Sequence, residues 1–257
     1  MNILLKYMYN IGVRVYYMLI LLVSPFHWKA KQYITGRRNW YNKLEKQIDN
    51  KRKRVWFHAP SIGEYQECRK FVREFCATYP NYQFVFTFES PSGYDQANLP
   101  IDDAIRLMLP LDTSSNAKKF IDLVKPDKHF ILASDLWGNY LNEMDKQGVE
   151  RYFVSFHGRE ESSFFWKSSH SFYAPIFTGF EHVFCYDQKG CDLLKENFGY
   201  KNASVCGNLR YDCVIDRLVN LRELDKVKEF VGDSFCFVAG STEIKEDELI
   251  IEAFKKL

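Results

Sequence analysis

Ser61-Ile62-Gly63-Glu64 sets a carboxylate immediately behind a turn of small residues. A hydrophobic run at 55–57 precedes the turn, and a helical pattern over about 65–79 follows it. Strand, turn, acid and helix in that order predict Glu64 at the carboxyl end of a parallel-sheet strand, the edge where open α/β sheets bind ligands. A carboxylate there has the chemistry of a general base, able to take the proton of an attacking hydroxyl. A second reading is purely local: an acid in a first helical turn complements the helix dipole or caps it. The motif alone leaves both open. His58, at the end of the same strand, reads as a core histidine satisfied internally. Ser92 and Gly93 belong to a Ser90-Pro91-Ser92-Gly93 turn, whose glycine would let a ligand approach the backbone closely.

The elements that must hold these residues alternate regularly. Short apolar strands are expected at 83–88, 104–109, 128–132, 151–156, 182–186 and 203–206. Helices are expected at 113–124, about 136–147, 171–178 and 188–198. Such alternation predicts βαβ units, a parallel sheet and helices on both of its faces. A second unit starts late in the chain, with a charged helix at 218–230 and a strand at 234–239. The turn Gly240-Ser241-Thr242-Glu243 and a helix from about Glu246 follow. One strand and one helix cannot bury their own apolar face. The expected organisation is therefore an apolar and basic segment (1–24), a complete α/β domain (25–212), and a linker with the start of another domain (213–257), the whole being part of a longer protein.

Composition narrows the classes. The 22 Phe and 16 Tyr suit a bulky core and a sugar or lipid contact surface equally. Seven cysteines, an odd number with no C-x-x-C pair, read as reduced thiols rather than a disulfide scaffold or zinc site. No Walker-type loop is present. Residues 1–54 carry twelve Lys and Arg against Glu45 and Asp49, a net of +10, which leaves −8 for the rest of a chain whose formal charge is +2. Beside these cations runs an unbroken apolar stretch at 15–23, well short of the ~20 residues that span a bilayer. Most of the basic residues follow it, which fits a cleaved signal peptide poorly. An interfacial helix or marginal anchor is expected, with Lys29, Lys31, Arg37, Arg38, Lys43, Lys46 and residues 51–54 facing anionic headgroups. Basic residues interleaved with Trp28, Trp40 and Tyr41 could also contact nucleic acid. No recognisable nucleic-acid fold accompanies them, so the membrane surface is the expected partner and nucleic acid is not.

Eight separated segments, in order, resemble the 3-deoxy-D-manno-octulosonic acid (Kdo) transferases of lipopolysaccharide assembly. They are Gly36-Arg37-Arg38-Asn39-Trp40, His58-Ala59-Pro60-Ser61-Ile62-Gly63-Glu64, Thr87-Phe88-Glu89-Ser90-Pro91-Ser92-Gly93-Tyr94 and Leu109-Pro110-Leu111-Asp112. Ser134-Asp135-Leu136-Trp137-Gly138-Asn139, residues 159–163, Gly207-Asn208-Leu209-Arg210-Tyr211-Asp212 and Gly240-Ser241-Thr242-Glu243 complete the set. The resemblance implies a GT-B glycosyltransferase, with two Rossmann-like domains facing across a cleft. The N-terminal domain would receive a tetra-acylated lipid A precursor (lipid IVA) at the cytoplasmic face of the inner membrane, and the C-terminal domain would hold CMP-Kdo. Transfer would invert the anomeric centre, with no metal or other cofactor. Glu64 would be the catalytic base. Ser61, Gly63, Ser92, Gly93, Asp135 and Arg159 would shape the acceptor side, and Asn208, Arg210, Ser241, Thr242 and Glu246 the donor side.

The residues keep plainer readings beside these roles. Asp135 would equally cap a helix starting at Leu136, and Ser241 and Thr242 would cap the last helix. Arg159 and Arg210 would simply be solvated. Departures from the family pattern occur at Ala133, where many members carry a second acid, at Gly138 for Pro, at His157 for Asn, and at Glu243 for His. With the remaining donor motifs expected beyond Leu257, the chain as written is predicted to be inactive alone. Two other functions stay open: a non-catalytic, membrane-associated scaffold derived from the family, and a sugar-nucleotide epimerase of similar two-domain build.

Overall fold

The computed structural model describes residues 3–132, 135–219 and 224–256. The chain divides into two compact units, Met1–Asp216 and Arg217–Leu257. Three helices come first: α1 (Ile3–Val23), α2 (Trp28–Gly36) and α3 (Trp40–Glu45). Next are β1 (Arg54–Ala59), α4 (Ile62–Glu67), α5 (Arg69–Thr78), β2 (Gln83–Phe88), α6 (Pro91–Gln96) and β3 (Ile105–Met108). The chain continues through α7 (Ser114–Val124), β4 (Lys128–Leu132), α8 (Gly138–Gln147), β5 (Glu150–Phe156) and α9 (His170–Thr178). The sheet ends with β6 (His182–Cys185), α10 (Gln188–Phe198) and β7 (Ala203–Val205). Helix α11 (Leu209–Val219) follows, then α12 (Asp225–Val231) and α13 (Ile244–Phe254).

All seven strands pair in parallel, in the order β3-β2-β1-β4-β5-β6-β7. This is the doubly wound, Rossmann-like order: the chain builds from β1 through β2 to β3, then returns to lay β4 on the other side of β1. The point of reversal leaves a crevice beyond the carboxyl ends of β1 and β4. Strands β1 and β2 are buried along their whole length, because helices cover both faces of the sheet. Side chains alternate between two cores. Val55, Phe57 and Ala59 join Phe84, Phe86, Phe130 and Leu132 on one face, while Trp56 joins Val85, Ile105, Ile131 and Phe153 on the other. Rings stack across four neighbouring strands, Phe86 on Phe57 and Phe57 on Phe130 at 5.1 Å, Phe130 on Tyr152 at 5.0 Å. Much of the phenylalanine thus belongs to the core.

Helices α1 and α2 pack on the carboxyl edge of this sheet. The Tyr9 hydroxyl donates to Asp112 Oδ2 at 2.6 Å and accepts from the Gly138 amide at 3.0 Å. Asp112 also accepts from the Asn139 and Tyr140 amides, both at 3.1 Å. A carboxylate beyond β3 therefore caps α8, which follows β4, and α1 is tied to that cap. Val13, one turn on from Tyr9, is buried as well. Arg37, expected at a headgroup surface, points inward instead. It donates to Glu89 Oε2 at 2.6 Å and to the Leu109 carbonyl at 2.7 Å, with its guanidinium 3.5 Å from the Tyr33 ring centre. Arg54 is also buried, donating to the carbonyls of Asp49, Arg52 and Val124. Residues 51–54 lead into β1 at the opposite, amino edge of the sheet from α1.

Other expectations shift locally. The helical pattern over 65–79 is two helices that meet at Cys68. The turn at 90–93 is an N-cap, Ser90, opening the short helix α6. In the second unit the helix expected at 218–230 is divided between α11 and α12, with residues 220–223 outside the described set. Residues 234–239 form no strand, and Phe235 and Phe237 are exposed. A strand needs a neighbour to take up its backbone groups, and among the described residues of this unit none is offered.

Candidate active site

A cleft of about 980 Å³ opens over the carboxyl ends of β1, β4, β5 and β6. Its lining comes from the segments after those strands: Glu64 and Glu67 from α4, Asp135 and Leu136 after β4, Ser155 to Ser163 around the end of β5, Tyr186 after β6, and Arg210 from α11. All of these residues belong to the first unit.

Glu64 reaches the cleft because Ser61 opens α4. Ser61 Oγ accepts from the Gly63 amide at 3.1 Å as an N-cap, and its hydroxyl donates to Glu64 Oε2. Glu64 is half-buried in the first helical turn, and among the described residues its Oε1 takes no hydrogen bond. One oxygen is thus steadied and the other is available to a substrate proton. Glu67, one turn on, is already engaged by the Ser155 hydroxyl at 2.8 Å and by Arg210 Nη2 at 3.0 Å. Of two carboxylates on one helix face, Glu64 is the one with an oxygen that takes no hydrogen bond among the described residues.

Asp135 does not cap a helix. Helix α8 starts at Gly138, and Asp112 supplies its cap. Asp135 Oδ2 lies 3.1 Å from His58 Nε2 instead. His58 is internally satisfied, as expected of a core histidine, but one of its two partners is a cleft carboxylate. Its other ring nitrogen lies 2.9 Å from Thr87 Oγ1. Arg159 is exposed and makes no ion pair among the described residues. Arg210 is 70 % exposed at its side chain, so its pairing with Glu67 costs little to open. Asn208 accepts from the Arg210 amide at 3.0 Å and donates to the Tyr186 hydroxyl.

Ser92 and Gly93 are not among the residues lining the cleft. Gly93 has a packing reason: a Cβ there would stand 2.4 Å from the Phe88 ring. In the second unit Ser241 has a positive φ of 59°, Thr242 Oγ1 donates to Asp247 Oδ1 at 2.5 Å, and Glu246 accepts from the Glu243 amide at 2.8 Å to close a capping box. These residues organise the start of α13.

Behind the cleft the electrostatics are set by burial. Burial pushes the Asp112 carboxyl up to about 6, against the hydrogen bonds from Tyr9, Asn139 and Tyr140. Glu89 is also raised by burial, with Arg37 and Tyr33 opposing. Burial holds the His129 imidazole well below its ordinary value, which keeps it neutral where it stacks 3.8 Å from Trp56.

Sequence reasoning missed Glu67, Ser155 and Tyr186. Glu67 was legible, since residues three apart share a helix face. Ser155 was not: its hydroxyl is aimed by a positive φ of 63°, where the β5–β6 register shifts between Phe153 and Phe156.

Fold and cleft together define a doubly wound α/β domain, with four acids and two arginines lining a cleft at the carboxyl edge. Residues 33–213 match the family model described as 3-deoxy-D-manno-octulosonic-acid transferase (kdotransferase). The chain belongs to that family. It is similar to the 3-deoxy-D-manno-octulosonic acid transferase of Rickettsia bellii, at 26% identity over 95% of this chain and 60% of the relative. The Haemophilus influenzae enzyme of the same description is 25% identical over 79% of this chain and 48% of its own. The chain thus spans about half the length of the curated relatives it matches. Among solved structures, the wall teichoic acid polymerase TagF aligns with a TM-score of 0.46 and 13% identity, over 85% of this chain and 53% of that one.

Proposed function

We propose that this protein transfers Kdo from CMP-Kdo to a sugar hydroxyl of a lipid A precursor, with inversion, at the cytoplasmic face of the inner membrane. One observation carries the reading: within a domain of this family, Glu64 shares a single cleft with Arg159 and Arg210, and among the described residues one of its carboxylate oxygens takes no hydrogen bond. A sugar hydroxyl is a weak nucleophile near neutral pH, so Glu64 takes its proton as the new C–O bond forms. The departing cytidylate carries negative charge. The reading assigns that charge to protein cations and to backbone N–H groups at Gly240-Ser241-Thr242, in the manner of anion sites at helix N-termini, rather than to a metal or cofactor. Asp135 and Arg159 serve the acceptor side, and Arg210, Asn208, Ser241, Thr242 and Glu246 the donor side.

The membrane partner is supported by α1. Leu4, Met8, Ile11, Val15, Met18 and Leu22 form one exposed stripe at helical spacing, on the face opposite Tyr9 and Val13. Arg14, Lys29 and Lys31 are exposed nearby in the sequence. Among the described residues no helix is long and apolar enough to cross a membrane. A stripe of this kind suits a helix lying in the interface.

Transfer is tested with the protein as the cell makes it, supplied with CMP-Kdo and the lipid precursor. E64Q is expected to lose at least ~100-fold in rate, the effect of removing a general base. An unchanged rate removes Glu64 from the mechanism, and no transfer by either protein supports the scaffold reading. The 257-residue chain alone is expected to bind the acceptor lipid without transferring sugar to it.

A further inference from the structure

Three buried side chains behind Asp135 form a chain of hydrogen bonds that starts from an obligate donor. Trp56 Nε1 can only donate, and it donates to Thr87 Oγ1 at 2.7 Å. The Thr87 hydroxyl has a single proton, and His58 Nδ1 lies 2.9 Å away. His58 Nε2 lies 3.1 Å from Asp135 Oδ2. With a neutral imidazole facing a carboxylate, Nε2 carries the one ring proton and Nδ1 accepts from threonine. Trp56, His58 and Thr87 are each no more than 2 % exposed, so water cannot substitute for a missing partner. The sheet itself sets the geometry: His58 and Thr87 are direct partners across β1 and β2, and Trp56 precedes His58 by two residues on the same face.

We infer that His58 is a positioning residue, which locks the Asp135 carboxylate through Oδ2 and leaves Oδ1 for a hydroxyl of the acceptor sugar. This rests on the transfer reading above and deepens it. Asp135 follows β4 and Glu64 follows β1, so one carboxylate comes from each side of the point where the strand order reverses. Glu64 takes the reacting proton. Asp135, held from behind, fixes the sugar that carries it. Among the described residues Asp135 Oδ1 takes no hydrogen bond, and the side chain keeps 22 % of its surface accessible. A carboxylate tethered through one oxygen with the other open suits binding a neutral polyol, because it accepts without needing a cation.

The first test needs no variant and no substrate. Nitrogen-15 spectra of the ring-labelled protein are expected to show the neutral imidazole of His58 with a protonated Nε2 and an unprotonated Nδ1. The opposite tautomer overturns the inference, and so does a mixture of the two. The second test is kinetic. In H58Q the side-chain amide can still donate from near the Nε2 position, and transfer is expected within about 5-fold of wild type. H58N is too short to reach Asp135, and at least ~10-fold is expected to be lost, chiefly as a rise in the acceptor KM. Equal behaviour of H58Q and H58N would show a merely structural role and overturn the inference. The E64Q assay reports on the transfer reading alone, while the tautomer is read without turnover, so failure of one is distinguishable from failure of the other.

Discussion

Replacing Tyr9 by phenylalanine removes one oxygen from the junction between α1 and the sheet, and its cost can be worked out from the geometry. The phenol donates to the buried Asp112 carboxylate at 2.6 Å and accepts from the Gly138 amide at 3.0 Å. At pH 8 Asp112 is ionised, since burial raises it only to about 6. A hydrogen bond to a charged group contributes ~1.5–3 kcal/mol, and a partly buried amide left alone costs about 1 kcal/mol. The loss at pH 8 is therefore about 3 kcal/mol. At pH 4.5 Asp112 is mostly protonated in the folded chain, the lost bond is neutral, and the loss falls to about 2 kcal/mol.

The sign follows from linkage. A carboxyl raised by burial holds its proton more tightly folded than unfolded, so its contribution to stability is full below about pH 4 and is lost as pH rises through about 6. Tyr9 opposes that rise by stabilising the charged form, so the variant must fall further behind wild type as pH increases. Urea unfolding followed by circular dichroism measures this directly. With a slope of ~2.5 kcal/mol/M, the midpoint drops by about 1.2 M at pH 8 and about 0.8 M at pH 4.5. A shift equal at both pH values would refute the assignment of an ionised Asp112 bonded to Tyr9. No shift at all would show that α1 is not locked to the domain through this residue.

Two further substitutions probe neighbouring claims. Gly93→Ala forces a methyl group to within 2.4 Å of the Phe88 ring, and overpacking of this kind is expected to cost ~1–3 kcal/mol in the same urea assay; an unchanged midpoint would mean that Gly93 is there for something other than packing. Changing Met8 and Ile11, exposed by 60 % and 59 % on α1, to glutamate is expected to lower partitioning onto anionic vesicles by at least ~10-fold, since each loses the transfer of a large apolar side chain. The urea midpoint should stay put, and unaltered partitioning would remove this stripe from the membrane reading.

How much of the molecule was legible depended on whether the signal was local. The β1 strand, the small-residue turn and the acid after it are contiguous, and Glu64 stands where that order places it. The βαβ alternation likewise forecast a parallel sheet, because a strand buried on both faces must be apolar along its length. Asp112 shows the opposite case. In sequence it stands directly before the helix expected at 113–124, yet Thr113 caps that helix, and Asp112 caps α8 more than twenty residues later. No local rule pairs those segments; the sheet order does, by returning β4 to the side of β1. Arg37 failed for a similar reason. Surrounded by exposed lysines it reads as one more surface cation, but Glu89 beyond β2 is mostly covered and requires a partner. Ser155 depends on a backbone conformation that serine rarely adopts, and composition carries no trace of it.

The same topology explains why the amino-terminal helix and the cleft are not independent parts. Residues after β2, β3 and β4 receive α1 and α2 through Glu89, Leu109, Asp112 and Gly138. Those after β1, β4, β5 and β6 line the cleft. The segment after β4 belongs to both groups: Asp135 faces the cleft while Gly138 and Asn139 hold Tyr9 and Asp112. A force on α1 is therefore transmitted to the backbone three residues from Asp135, through bonds of 2.6–3.1 Å. Loosening Tyr9 should accordingly raise the acceptor KM even where the domain remains folded, whereas a helix that served only as a tether would leave KM on detergent-dispersed acceptor unchanged.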